Sequence, residues 1–150
     1  MPQSIASLHC HIIFSTKNRE PLLMPEWTTR LYEYIGGTIR AKGGSLLAAG
    51  GMPDHVHFAV SMGRQMSVSD TVRDIKSNSS RWIHESFPNL RGFAWQNGYG
   101  AFSVSRSNLD DVKRYIASQQ EHHRVRSFQE EFLEFLKRHE LDYDERYIWD

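Results

Sequence analysis

Apolar and polar positions divide the chain into short strands and amphipathic helices. Residues 7–16 (Ser-Leu-His-Cys-His-Ile-Ile-Phe-Ser-Thr) are rich in β-branched and aromatic side chains and predict a buried strand, which Lys17-Asn18-Arg19-Glu20-Pro21 breaks. Over residues 25–42 Trp27, Leu31, Tyr34, Ile35 and Ile39 recur at helical spacing, and Gly43-Gly44 stops the helix. Residues 45–49 form a short apolar strand that Gly50-Gly51-Met52-Pro53-Asp54 turns into a second strand over 55–62, an antiparallel hairpin. Ser67 or Ser69 can cap a helix running to about Phe87, with Val68, Val72, Ile75, Trp82 and Ile83 on its inner stripe. Two strand pieces flank Asn97-Gly98-Tyr99-Gly100. A helix over 109–124 follows, capped by Ser107 or Asn108 with Asp110 and Asp111 in its first turn, and another over 128–139 has Phe132, Leu133, Phe135 and Leu136 on its apolar side. The tail over 141–150 is aromatic and acidic and is expected to dock.

The order strand, helix, strand, strand, helix, strand matches the split βαβ pattern of a ferredoxin-like α+β sandwich. The expectation is one domain over 1–150, an antiparallel sheet with helices on one face plus C-terminal helices. The other sheet face is expected to stay open for a partner, a subunit or a substrate.

Composition narrows the class. The 39% hydrophobic and 24% charged content are those of a globular chain, and the single cysteine, Cys10, excludes a disulfide framework and a cysteine-rich zinc module. No apolar stretch approaches the roughly 20 residues that span a bilayer, and no signal pattern opens the chain, so a cytoplasmic location is expected. Net charge is zero, but residues 1–126 hold fifteen Lys/Arg against ten Asp/Glu, and residues 127–150 hold three against eight. A basic face can therefore coexist with an acidic C-terminal segment.

Candidate chemistry sits at the mouth of the second hairpin strand. Strand alternation puts His55 and His57 on one face, half of a metal site or, alternatively, two partly buried hydrogen-bonded histidines. On the 109–124 helix Tyr115 and Gln119 share a face, with His122 and His123 a turn further and Lys113 and Arg114 beside them. A phenol, an amide oxygen and adjacent cations are the groups that phosphodiester chemistry at a tyrosine requires, although Tyr115 also reads as a core residue between Val112 and Ile116. A divalent cation held by His55, His57 and the Gln119 carbonyl can polarise a phosphate. Two nitrogens and one oxygen suit Mn²⁺ or Mg²⁺ better than a closed zinc site. Lys17, Arg19, Arg73, Lys76, Arg81, Lys113, Arg114, Arg124, Arg126 and His122 are candidate DNA contacts; the competing reading is ordinary surface charge. Trp95 reads as packing. His9 and His11 form a second His-x-His, a rival metal pair with no matching acid, amide or tyrosine evident nearby, so His9 reads as structural or supporting; Asp54 either orients a ligand histidine or serves the turn.

Together these blocks resemble the single-tyrosine transposases of the HUH endonuclease superfamily, of the short insertion-sequence type, and especially their REP-associated relatives. Pro53-Asp54-His55-Val56-His57 is similar to that family's metal motif and Tyr115-x-x-x-Gln119 to its catalytic helix. His9, Thr16-Lys17, Arg19 and Pro21-Leu22 resemble its first strand and loop; residues 72–76 and 79–82 its second helix; 95–102 the strand before the catalytic helix; and 128–132 and 144–147 one branch's ending. The resemblance implies cleavage of single-stranded DNA through a 5′-phosphotyrosine at Tyr115, rejoining of new ends, recognition of hairpin or palindromic ends, a homodimer, and action at the bacterial nucleoid. Rival readings are a replication initiator or relaxase, a non-enzymatic nucleic-acid-binding module on the same sandwich, and a small metal-dependent hydrolase.

Overall fold

In the computed structural model the described residues are 2–122 and 126–150, the side chains of Glu121 and His122 excepted. Strand β1 (His9–Ser15), helix α1 (Pro25–Ala41), strands β2 (Ser45–Met52) and β3 (His55–Ser61), helix α2 (Val68–Ser86) and strand β4 (Gly100–Val104) follow the predicted order. Helices α3 (Leu109–Ala117), α4 (Gln119–His122) and α5 (Phe128–Arg138) come after them. The sheet order is β2-β3-β1-β4 with every neighbouring pair antiparallel, so the hairpin strand β3 slots between β1 and β2. This is the split βαβ of a ferredoxin-like α+β fold. The Ser67 hydroxyl caps α2 by accepting from the Asp70 N–H at 3.1 Å.

Both central strands are buried on both faces. One pleat carries Cys10, Ile12, Phe14, Val56, Phe58 and Val60 into a core with Leu31, Ile35 and Ile39 of α1 and Val72, Ile75 and Ile83 of α2. Trp95 belongs to this core too, its indole N–H donating to the Ser79 hydroxyl at 3.0 Å. The opposite pleat holds His11, Ile13, Ser15, His55, His57 and Ala59, none above 2% exposed. The expected open face is therefore covered. Leu109 and Ile116 of α3 pack over Ala59, and Phe128, Phe132 and Leu136 of α5 pack with Ile13 and Phe102. The reason lies in the apolar stripes of α3 and α5, which need a surface to bury, and in β1 and β3, whose near-continuous apolar runs demand cover on both sides.

Two glycines let these helices down onto the sheet. A Cβ at Gly100 would lie 2.5 Å from the Phe132 ring, and one at Gly50 would lie 2.4 Å from the Ile116 carbonyl oxygen. Gly50 pairs with His57 across the β2–β3 ladder, so α3 comes closest where Tyr115 must meet that histidine. Backbone cannot retreat as a side-chain tip can. Gly50→Ala is expected to lower stability by about 2 kcal/mol in urea melts and to displace α3 from the histidine pair. Wild-type stability in this variant would contradict that close approach.

The C-terminal residues dock as expected. Gly98 N–H and Gln96 Nε2 donate to the Asp150 carbonyl at 2.7 and 3.1 Å, and Trp149 lies 5.9 Å from the Phe132 ring. No helix among the described residues is long and apolar enough to cross a membrane.

Candidate active site

The covered second face is where the candidate residues converge. His55 and His57 stand two apart on β3 with ring centroids 5.2 Å apart. Each has one ring nitrogen turned outward to a support and the other turned inward. Nδ1 of His55 lies 2.7 Å from Asp54 Oδ1, and Nδ1 of His57 lies 2.8 Å from His11 Nε2. Both Nε2 atoms face the same small space.

Tyr115 and Gln119 reach that space from above, but not along one continuous helix. The predicted 109–124 helix is interrupted at Ser118, whose φ of −110° and ψ of 33° leave the helical region. Its hydroxyl donates to the carbonyls of Arg114 at 2.9 Å and Tyr115 at 3.3 Å, the local competition with backbone bonding that serine brings to helices. The chain restarts as α4, and the Gln119 amide N–H₂ folds back onto the Tyr115 carbonyl at 3.2 Å. Its Oε1 is thereby aimed at His55 Nε2, 3.3 Å away.

A carboxylate sits in the middle. Glu131 of α5 is 1% exposed, with Oε1 2.9 Å from His57 Nε2 and 3.7 Å from His55 Nε2. Its Oε2 accepts the hydroxyl of Tyr115. Burial first, and then the Glu131 carboxylate, hold the Tyr115 phenol well above the ordinary tyrosine range. The reason for Glu131's placement is local. Ser127 and Glu130 close a capping box that fixes the start of α5, and Phe128 in its first turn packs with its ring 4.7 Å from the His55 ring.

One ion fits this donor set. His55, His57 and Glu131 offer ligand atoms that all lie within 4.8 Å of one another. Ligands bonded at about 2.1 Å and at right angles stand about 3 Å apart. The separations of 2.9 and 3.3 Å are close to such edges, and the third, at 3.7 Å, is longer. Beside it, a cleft of about 370 Å³ is walled by His11, Phe102, Val112, Tyr115, Phe135 and His139.

Among the described residues the candidate DNA contacts do not gather into one patch. Arg73, Lys76 and Arg81 ride on α2 over the first sheet face, and Lys113 and Arg114 on α3 over the second. Arg73 is ion-paired with Asp70 and Asp74, Arg81 bonds Asn78, Arg114 pairs with Asp111, and Arg126 pairs with Glu134. Lys17 is exposed in the turn after β1, and the Arg19 guanidinium lies 6.0 Å over the Trp149 ring. The side chain of His122, together with His123 and Arg124, lies outside the described residues.

Lys76 has a structural post. Its ammonium donates to the carbonyls of Gln96, Asn97 and Gly98 at 2.8, 3.1 and 2.6 Å, and burial lowers its pKa to about 8. Lys76→Met is expected to cost about 2 kcal/mol of stability while leaving the salt dependence of DNA binding unchanged. A salt slope reduced by about one would return Lys76 to the phosphate contacts.

Sequence reasoning passed over Glu131 and the supporting role of His11. A signal for Glu131 exists: it lies on the stripe Phe128, Glu131, Phe132, Phe135, a lone acid among apolar positions of a helix. Of the first-strand pair it is His11 that touches the site. His9 Nδ1 is buried with no hydrogen-bond partner among the described residues.

The family described as Transposase IS200 like matches residues 4–119. The ISDra2 transposase TnpA of Deinococcus radiodurans is 28% identical over 120 residues, 77% of this chain and 86% of that protein. Among solved structures, a Deinococcus radiodurans R1 chain described as a transposase aligns with a TM-score of 0.64 at 28% identity, covering 79% of this chain and 98% of its own. A REP-associated tyrosine transposase, solved bound to a REP hairpin, aligns with a TM-score of 0.57 at 18% identity, over 77% of this chain and 68% of its own, a likeness of fold. Helix α5 and Glu131 lie beyond the span of the family match.

Proposed function

Because this chain belongs to the IS200-like transposase family, we propose that it cuts and rejoins single-stranded DNA with Tyr115 as nucleophile and His55, His57, Gln119 and Glu131 as ligands of Mg²⁺ or Mn²⁺. The observation that carries the reading is the convergence of a phenol, two imidazoles and an amide oxygen on one buried carboxylate. Two nitrogens with a carboxylate and an amide oxygen suit these harder cations.

The residues divide the work. Burial and Glu131 hold the phenol above the ordinary tyrosine range, so Tyr115 needs activation before it attacks. A bound divalent cation supplies positive charge, offsetting the phosphate oxygens and lowering the cost of a phenolate. Tyr115 Oη bonds to phosphorus as its proton passes to water, and the P–O3′ bond breaks. The departing 3′-oxygen takes up a proton, leaving a 5′-phosphotyrosine and a free 3′-hydroxyl. Attack by a 3′-hydroxyl on the phosphotyrosine reverses the step; one phosphoester replaces another, and no external energy source is required. The Tyr115 ring lies 5.9 Å from the His57 ring of its own chain, which supports a site assembled within one copy. A homodimer holding two hairpin-bearing strand ends, acting at the nucleoid, completes the proposal.

The test is to incubate the protein with hairpin-bearing single strands and Mn²⁺ and to look for a covalent adduct on a denaturing gel. An adduct is expected. Cleavage without one favours a hydrolase, and binding without cleavage, unaltered by His57→Ala, favours a binding module; either result overturns the reading.

A further inference from the structure

We propose that His11 is a positioning residue for the metal site, holding His57 in the one tautomer that can present Nε2 to a cation. This rests on the ligand set proposed above. An imidazole ligates through a nitrogen lone pair, so a ligating His57 Nε2 carries no proton and Nδ1 must carry it. Nδ1 is 2.8 Å from His11 Nε2, and neither histidine is more than 2% exposed, which keeps bulk solvent from taking the bond. His11 Nε2 therefore accepts the His57 Nδ1–H, and the proton of His11 sits on its own Nδ1.

The sheet builds this contact. His11 pairs with Ala59 and Ile13 with His57, so His11 and His57 are diagonal neighbours on one pleat. The small Ala59 leaves the His11 ring room to lean toward His57. Phe135 of α5 stands edge-on to His11 at 5.1 Å and 85°, fixing the ring plane. His55 receives corresponding support from Asp54, but from a carboxylate at the rim that is 32% exposed. The competing state is also visible: His57 Nε2 lies 2.9 Å from Glu131 Oε1, so a His57 protonated there has an acceptor waiting. Losing the His11 acceptor shifts His57 toward that state, which cannot ligate.

The experiment uses the full chain. Mn²⁺ binding is followed by loss of the free-ion EPR signal, and histidine tautomers by long-range ¹H–¹⁵N correlation spectra of Mg²⁺-loaded protein. Wild type is expected to show His57 protonated on Nδ1 and the His11 Nε2 as acceptor. His11→Phe is expected to weaken Mn²⁺ binding 10- to 100-fold, the range for removing a group that orients a ligand. His11→Gln, whose amide oxygen can accept, is expected to recover most of it. Unchanged Mn²⁺ affinity in a folded His11→Phe protein, with binding lost in His57→Ala, overturns the role of His11 alone. Should His11→Phe not fold, wild-type spectra decide: a His57 Nδ1 without a proton in the loaded protein overturns it too. Absence of Mn²⁺ binding by wild type overturns this role and the ligand set together.

Discussion

Tyr115→Phe is expected to abolish the covalent protein–DNA adduct and to lower cleavage at least about a thousandfold, because a nucleophile and not a stabilising contact is removed. Mn²⁺ and DNA affinities should stay within about threefold of wild type. The structure says why the change is so confined. The ring of Tyr115 packs edge-on against His57 at 5.9 Å and Phe135 at 5.8 Å, and phenylalanine keeps both contacts. Glu131 loses the Tyr115 hydroxyl but keeps its place beside His57. An adduct that persists in Tyr115→Phe sinks the assignment of the nucleophile. A matching fall in metal affinity would mean that the phenol oxygen is itself a ligand.

The second large effect belongs to Glu131. Glu131→Gln is expected to weaken Mn²⁺ binding at least about tenfold, since the carboxylate charge is lost while size and position stay. Glu131→Ala goes further. It leaves the Tyr115 hydroxyl and the inner nitrogen of His57 facing an apolar void, and should cost about 3 kcal/mol in denaturant melts. Glu130→Gln on the same helix is the control: Glu130 is exposed and serves the cap, so its effect should stay below about 1 kcal/mol with metal affinity unchanged. Tighter Mn²⁺ binding or faster adduct formation in Glu131→Gln would reverse the assignment, making the carboxylate a competitor for the ion's place.

Much of this was legible in the residues. The alternation around His55 and His57 placed both on one pleat, and the order of elements led to the split βαβ sheet, because periodicity reports which face a side chain takes. Tyr115 and Gln119 do meet the histidines. Their spacing, however, suggested an unbroken helix, and the break at Ser118 depends on a hydroxyl that can bond either to water or to its own backbone. The open face was misread because strand patterns show that a side is apolar without showing what covers it. The carbonyl partners of Lys76 were equally hidden, because they come from a turn 20 to 22 residues away. Glu131 was hidden by distance along the chain. Its partner His57 is 74 residues earlier, and a local pattern carries no trace of such a meeting.

That same distance has a consequence in time. A ribosome releases the chain from its N-terminus, and early parts begin to fold before later ones are made. The sheet strands, the histidine pair and the tyrosine all precede α5, so the acceptor that joins them is translated after all of them. A chain made only as far as α4 has Tyr115 and both imidazoles but not the carboxylate that gathers them. On the ligand set proposed here, competence to cut DNA arrives only when synthesis of α5 is complete, which separates the making of the enzyme from its first encounter with a strand.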